Sequence, residues 1–295
     1  ALIYYKVELI YRKSNTMKKA IFSTEINLLR STMQRLLRRS AHTNITKILR
    51  KTHQADVALI MRNLNQYDQN TIFSLCPTAL HKARLLEELD EALIEKVLKD
   101  ESSKTISSIF RYLDTNDQAT IISMFSEDKQ NEILKIIEID DKEEVEEIMS
   151  YPDDSAGSIM TKETFTLDQN TSVKDSIKKL QSFPENDKIF YLYVLDKKEK
   201  LVGVVSLRTL VTSKNSKKLK DIMIKDIQAA TTDTDQEEVA KKVAQYNYLA
   251  LPVVNRQNRF LGIVTIDDVV DIIREEAVSY THLRAHETVL DLVCR

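Results

Sequence analysis

The stretch Ala250-Leu-Pro-Val-Val-Asn-Arg-Gln-Asn-Arg-Phe-Leu-Gly-Ile-Val-Thr-Ile-Asp-Asp-Val-Val-Asp-Ile-Ile-Arg-Glu-Glu276 decides how this chain is read. A short apolar run, Leu251 to Val254, is followed by the polar Arg256 to Asn258 and a second apolar run, Phe260 to Thr265. That order predicts strand, turn, strand. From Ile266 the period lengthens to that of a helix. Val269, Val270, Ile272 and Ile273 then mark one face, and Asp267, Asp268, Asp271 and Glu275 the other. The same pattern stands 59 residues earlier, without a gap, from Tyr191 to Val211. Leu192 matches Leu251, Val194 matches Val253, Gly203 matches Gly262, Val205 matches Val264 and Val211 matches Val270. Ser206/Thr265 and Leu207/Ile266 fall in the same register. A second register, 63 residues long, brings Ile159-Met160-Thr161 back as Ile222-Met223-Ile224. One small unit has been duplicated in tandem.

The rest of the chain is bounded by its 295 residues, room for about two domains. Hydrophobic residues make up 42%, enough for real cores. The longest apolar runs, such as Leu201 to Val205, fall far short of the ~20 residues that a bilayer-spanning helix needs. Cys76 and Cys294 are too few for a disulfide framework and fit no metal spacing, so a reducing compartment is expected. No secretory signal is visible, because charges interrupt any apolar core at the start.

A net charge of −2 conceals a gradient. Residues 1–52 hold 12 Lys and Arg against 2 Asp and Glu, a balance of +10, and residues 53–150 hold 10 against 21, or −11. The basic start (Arg35, Arg38, Arg39, Lys47, Arg50, Lys51) has helical spacing and lacks interleaved aromatics, so it reads as a solvated helix face and not as a nucleic-acid site. Residues 1–23 are expected to be non-native or disordered, with Met17 a candidate start. Residues 24–150 read as helical throughout. They contain no Gly and one Pro, and apolar positions recur at three and four residues, as in Val57, Ile60, Met61 and Leu64. Polar punctuation every dozen residues (Asn65-Gln66, Pro77-Thr78, Asp100-Glu101, Asp114 to Asn116, Ser126 to Asp128) offers helix caps. Short helices on short loops predict a helical superhelix. The acid-rich run from Glu138 to Glu147 reads as a further helix with Ile139, Val145 and Ile148 inward. Tyr151-Pro152 breaks it.

The whole chain has three glycines: Gly157, Gly203 and Gly262. No glycine-rich phosphate loop and no nucleophile elbow can be built from them. Nor is there a Ser/His/Asp or Cys/His array. His282 and His286 share an i, i+4 face, but no third ligand stands near them. The chain is therefore not expected to be an enzyme.

The duplicated unit resembles a pair of CBS domains, and residues 24–277 resemble the cytosolic part of MgtE-type magnesium channels. The resemblance is carried by several strings. His53-Gln-Ala-Asp-Val-Ala58 is similar to the family's H-P-A-D-V-A, and Tyr151-Pro-Asp-Asp-Ser-Ala-Gly-Ser-Ile-Met-Thr161 to its Y-x-x-D-S-A-G-x-x-M-T. Ile189 to Asp196, Gly203 to Arg208, Asp233 to Ala240, Leu251 to Val254 and Gly262 to Asp271 follow in the family's order. The resemblance implies an α + α/β protein: an all-helical N domain (24–150), a first CBS domain (151–215) and a second (216–277). Residues 278–295 match nothing in the family and are expected to be a non-native tail.

The resemblance further implies a Mg2+-sensing regulatory region that closes a membrane pore when Mg2+ is high, the pore being absent from this chain. It implies a homodimer through the CBS pair, at the cytoplasmic side of the bacterial inner membrane. Carried over by position, the Mg2+ ligands are Asp235, Glu237, Asp267, Asp268, Asp271 and Glu276, with a carbonyl from Gly157. Asn247 stands where the family often has an acid. Mg2+ is a hard cation that keeps part of its water and suits clustered carboxylates. The alternative is a free-standing CBS regulator that binds an adenine nucleotide. For ATP the resemblance points to Tyr191, Arg208, Thr209 and Tyr248. The nucleotide motif G-h-h-[ST]-x-x-D is complete in Gly262, Thr265 and Asp268, whereas the first copy has Gly203, Ser206 and Thr209 in place of the Asp.

Overall fold

A computed structural model describes residues 18–137, 139–183 and 189–273. The start up to residue 17, the tail from 278, Glu276 and the His282/His286 pair lie outside these. The chain divides into two compact units, residues 1–142 and 143–295.

The first unit is helical. After the 21-residue helix Lys18–Arg38 come His42–Leu49, Gln54–Met61, Gln66–Ser74, Ala79–Leu86, Glu91–Leu98, Ser103–Phe110, Thr115–Ser123 and Glu127–Leu134. From Gln54 on, the N-cap positions are His53, Asn65, Thr78, Asp90, Ser102, Asp114 and Ser126, twelve or thirteen residues apart. The side chains of the first five accept a backbone N–H of the helix they start, which satisfies one of its orphan donors. Ser102 is the cap where the sequence suggested Asp100-Glu101, because its Oγ receives Thr105 N–H at 3.1 Å. Asp114 and Ser126 hold the position without that side-chain bond.

From Gln54–Met61 to Ser103–Phe110 each short helix packs on the next but one, Gln54–Met61 on Ala79–Leu86, Gln66–Ser74 on Glu91–Leu98 and so on. That is the pattern of a superhelix, in which no helix can bury its apolar face alone. Buried glutamines tie the turns together. Gln69 Nε2 donates to the carbonyls of Met61 (2.9 Å) and Leu64 (3.0 Å), and Gln118 Nε2 to those of Phe110 (3.0 Å) and Leu113 (2.9 Å). In both places the glutamine sits four residues after the N-cap and closes the end of the preceding helix.

The second unit contains two three-stranded sheets of the same topology. Strands β1 (Thr166–Asp168), β2 (Tyr191–Leu195) and β3 (Leu201–Ser206) form one, and β4 (Ala230–Thr231), β5 (Ala250–Val254) and β6 (Phe260–Thr265) the other. In each, the first pairing is parallel and the second antiparallel. The helices Val173–Ser182 and Gln236–Tyr246 make the two parallel crossovers, and a helix follows each hairpin (Leu207–Thr212; residues 266–273).

The repeated Ile-Met segments are exchanged between the sheets. Thr161 pairs with Ile263 on β6, and Ile224 with Val204 on β3. Met160 accordingly lies in the second repeat's core with Val239, Val243, Val253 and Val264. Met223 packs on the first repeat's core of Leu192, Val194, Val205 and Leu210. The hairpin turns also reciprocate: Leu201 N–H donates to Asn258 O (3.2 Å) and Phe260 N–H to Glu199 O (3.0 Å). Between the sheets Tyr193 stacks on Phe260 with centroids 4.9 Å apart.

At the entry to this unit, helix Ile139–Met149 buries Val145 and Ile148 as its sequence period requires and ends just before Tyr151-Pro152, while the Ile139 side chain lies outside the described residues. The Tyr151 ring covers Gly157, where an added Cβ would come within 2.5 Å of Cγ. Its hydroxyl donates to Glu147 Oε1 at 2.8 Å, and Glu147 Oε2 takes the ammonium of Lys162.

Candidate functional site

Both post-hairpin helices open with a hydroxyl cap. In the first repeat Thr209 N–H donates to Ser206 Oγ (3.1 Å), and the two hydroxyls lie 2.9 Å apart. In the second, Asp268 replaces Thr209 and reaches back: its Oδ2 accepts Thr265 N–H at 2.9 Å and Thr265 Oγ1 at 2.6 Å. The repeats thus differ by one negative charge in a shared cap. Asp268 is half-buried and spends one carboxylate oxygen on that cap, while Asp267 and Asp271 stand exposed one turn apart.

Asp235 caps helix Gln236–Tyr246 by accepting Glu237 N–H at 2.8 Å. Its backbone bridges to Ser155, and Gly157 N–H donates to Thr232 O at 3.0 Å. Gly157 and Asp235 are therefore brought together across the chain. Glu237 sits in the first turn, where its charge suits the helix dipole, and pairs with Lys241 at 3.2 Å. Asn247 ends the helix in the left-handed region (φ 54°), a conformation that Asn tolerates better than most side chains. Its place is set by the backbone as well as by any ligand.

For a nucleotide, Tyr191 lies opposite Ser206 in the β2/β3 register, and Arg208 and Thr209 follow two and three residues after Ser206. Arg208 is exposed. Tyr191 packs edge-on to Tyr193 (6.4 Å, 72°) in the cluster that holds Ala250, two residues after Tyr248. Tyr248 stacks on Tyr246, 5.5 Å between centroids. Two shallow depressions, one along His42 to Arg50 and one between Thr164 and Phe183, include none of these residues.

The donor set of Asp235, Asp267 and Asp271 is all oxygen and mostly solvent-facing, which fits a partly hydrated Mg2+. Among the described residues no three acidic, His or Cys side chains converge on one point. The sequence reading missed the Glu147–Tyr151–Lys162 cluster. Its one signal was the Tyr151-to-Thr161 string, read only as a junction.

A run of short helices followed by two strand-strand-helix units that exchange their Ile-Met segments is the architecture of a helical domain joined to a CBS pair. Comparison with known proteins agrees. Residues 52–154 match the MgtE intracellular N domain, and residues 156–215 and 219–275 the CBS domain. The chain is 34% identical over 227 residues to the magnesium transporter MgtE of Bacillus subtilis (strain 168), covering 72% of this chain and 50% of the relative. It is 39% identical over 151 residues to the magnesium transporter MgtE of Thermus thermophilus, covering 51% and 34%. A crystal structure of the cytosolic domain of the Mg2+ channel MgtE in complex with ATP superposes with a TM-score of 0.76 at 28% identity, over 82% of this chain and 99% of that one. The soluble part of a magnesium transporter shares the fold at a TM-score of 0.71 and 23% identity.

The chain thus carries an MgtE intracellular N domain followed by two CBS domains, and over that stretch it is similar to magnesium transporters MgtE. It spans about half the length of its Bacillus relative. Among the described residues no helix is long and apolar enough to cross a membrane.

Proposed function

We propose that this chain is the Mg2+-responsive regulatory part of a magnesium transporter, acting on the cytoplasmic side of the bacterial inner membrane and closing the pore when Mg2+ is high. The observation that carries this reading is the N domain followed by the CBS pair, matched over 99% of an MgtE cytosolic domain. Elementary electrostatics supplies the mechanism. Two carboxylates about 8 Å apart repel by about 2 kcal/mol at an effective dielectric of about 20. Acidic surfaces such as that of Asp267 and Asp271 repel other carboxylates until Mg2+ neutralises them. Mg2+ then shifts the population only by its preference for the compact state.

The CBS pair is the proposed homodimer interface. The exposed apolar Val211 (68%) and Val270 (37%), equivalent positions of the two repeats, support it. Small-angle scattering tests the sensor: the radius of gyration of the full chain falls as Mg2+ rises, and K+ at equal ionic strength has little effect. Asp267→Ala/Asp271→Ala blunts the response without disturbing the Asp268 cap. Wild-type dimensions that ignore Mg2+ overturn the reading.

A second reading, adenine-nucleotide binding, is favoured by the ATP complex of the structural relative. In this chain Tyr191, Arg208, Thr209 and Tyr248 are the proposed contacts. Thr209 offers a hydroxyl, already engaged with Ser206, where the other repeat has a carboxylate.

A further inference from the structure

The two crossover helices of the second unit differ in charge at the second position after the N-cap. Aligned on their N-caps Ser172 and Asp235, Lys174 corresponds to Glu237 and Lys178 to Lys241. In the second repeat Glu237 and Lys241 neutralise each other at 3.2 Å. In the first, an ammonium one turn before another repels it, which is destabilising in an isolated helix.

The segment after Thr212 adds to that charge. It returns beside the start of the same helix: Val173 N–H donates to Lys217 O (2.9 Å), Lys174 N–H to Asn215 O (3.3 Å), and Ser172 bridges to Lys218. Lys174, Lys178, Lys214, Lys217 and Lys218 are all exposed. Among the described residues none of the five makes an ion pair, whereas Lys82, Lys162, Lys241 and Lys242 each do. The nearby acids are turned onto local caps. Asp175 Oδ2 accepts Ser172 Oγ at 2.6 Å, and Asp221 Oδ2 accepts Lys218 N–H at 3.1 Å. The inward side of the helix is occupied by Val173, Ile177 and Leu180, packed on the first-repeat core.

We propose that this lysine face binds the anionic headgroup surface of a lipid bilayer. The chemistry selects that partner. Five ammonium groups without an arginine fork are strongly hydrated point charges, suited to a diffuse layer of negative charge more than to one bidentate phosphate. No aromatic platform interleaves them, as stacking of single-stranded nucleic acid would need. A bilayer presents a layer of negative charge wide enough to meet several of them, each ammonium near an anionic leaflet strengthening binding about fivefold, and the effect fades beyond a Debye length of ~8 Å at physiological salt. The inference rests on the reading that the chain is part of a membrane transporter, which brings it near a bilayer.

Co-sedimentation of the full chain with vesicles, in EDTA so that Mg2+ does not mask the lipid, tests it. Vesicles containing phosphatidylglycerol bind at least tenfold more protein than phosphatidylcholine vesicles, and high salt abolishes the difference. Lys174→Glu/Lys178→Glu/Lys217→Glu/Lys218→Glu removes the binding, and the four corresponding Gln substitutions reduce it. Arg38→Glu/Arg39→Glu/Arg50→Glu in the first unit leaves it intact. Equal binding to both vesicle types overturns the proposal, as does loss confined to the arginine variant. Duplex DNA that binds the same lysines more tightly than the vesicles reassigns the face to nucleic acid and also overturns it. A chain that compacts with Mg2+ but ignores the vesicles loses this proposal alone and keeps the sensor.

Discussion

Met223 lies against the bare α-carbon of Gly203, so that a Cβ built on the glycine would come within 2.8 Å of the Met223 Cβ. The methionine belongs to the segment that leads into the second repeat, yet it packs on the first repeat's core. Gly262 does the same for the other crossing, where a Cβ would meet Thr161 O at 2.6 Å. The paired glycines are needed at the two places where the repeats exchange segments.

Gly203→Ala is therefore expected to destabilise the protein by about 1–3 kcal/mol, the usual cost of forcing a methyl into filled space. Met223→Ala in the same chain removes the thioether from the collision and returns part of the loss. At Gly262 the obstacle includes a backbone carbonyl, so truncating Met160 does not rescue Gly262→Ala. Denaturant unfolding of the single and double variants checks both statements. A neutral Gly203→Ala would show that the strands are not in this close approach.

The turn between β2 and β3 holds Glu199 at φ 61°, and the equivalent turn holds Asn258 at φ 61°. A left-handed conformation costs an ordinary L-residue about 1–2 kcal/mol, and Gly gives back only about 0.5–1 kcal/mol of that through chain entropy. Glu199→Gly should stabilise by about 0.5–1 kcal/mol, and Glu199→Asn by somewhat less. Thermal midpoints of the two variants measure this; a loss of stability in both would mean that the Glu199 side chain makes a contact worth more than its strain.

Glu147 contributes a pH dependence with a definite sign. Burial pushes its carboxyl up, but the bonds from Lys162 and Tyr151 outweigh that and hold it below the ordinary glutamate value of 4.5. A group depressed on folding stabilises above its unfolded value and loses that contribution as pH falls through the lower folded one. The wild type should exceed Glu147→Gln by about 0.5–1 kcal/mol near neutrality, small because the carboxylate is partly solvated, and the gap should close as pH drops below 4.5. Tyr151 carries the opposite sign. Its hydroxyl is pushed up to about 12 by burial and by Glu147, so its share persists below the ordinary value of 10.0 and fades as pH climbs to 12. Urea melts across pH read both limbs, and an acid-side gap that never closes would remove Glu147 from the account.

Thr209→Asp should restore to the first repeat the cap that Asp268 makes in the second, and with it a carboxylate for a ribose hydroxyl. One charge-assisted hydrogen bond is worth about 1.5–3 kcal/mol, so ATP affinity should rise about tenfold or more. Isothermal titration of wild type and variant decides it. Tight binding by the wild type with no gain from Asp would show that nucleotide, if held, is held elsewhere.

The sequence by itself determined the local structure and its duplication. The switch from a two-residue to a helical period at Ile266, the dozen-residue spacing of Asn65, Thr78 and Asp114, and the absence of glycine from 24–150 are properties of neighbours along the chain. Local geometry alone turns them into strands, caps and short helices. Asp267 and Asp271 were legible as an acidic face for the same reason. What only the tertiary structure decided are relations between distant residues. Nothing within either Ile-Met segment tells that Met160 enters the second core and Met223 the first, because strand pairing is chosen by which sheet edge is open. Asp268 looked in the sequence like a ligand equal to its neighbours. In the fold its carboxylate turns back on Thr265, because an unpaired N–H at the head of a helix is the nearest donor that a side chain of that length can reach.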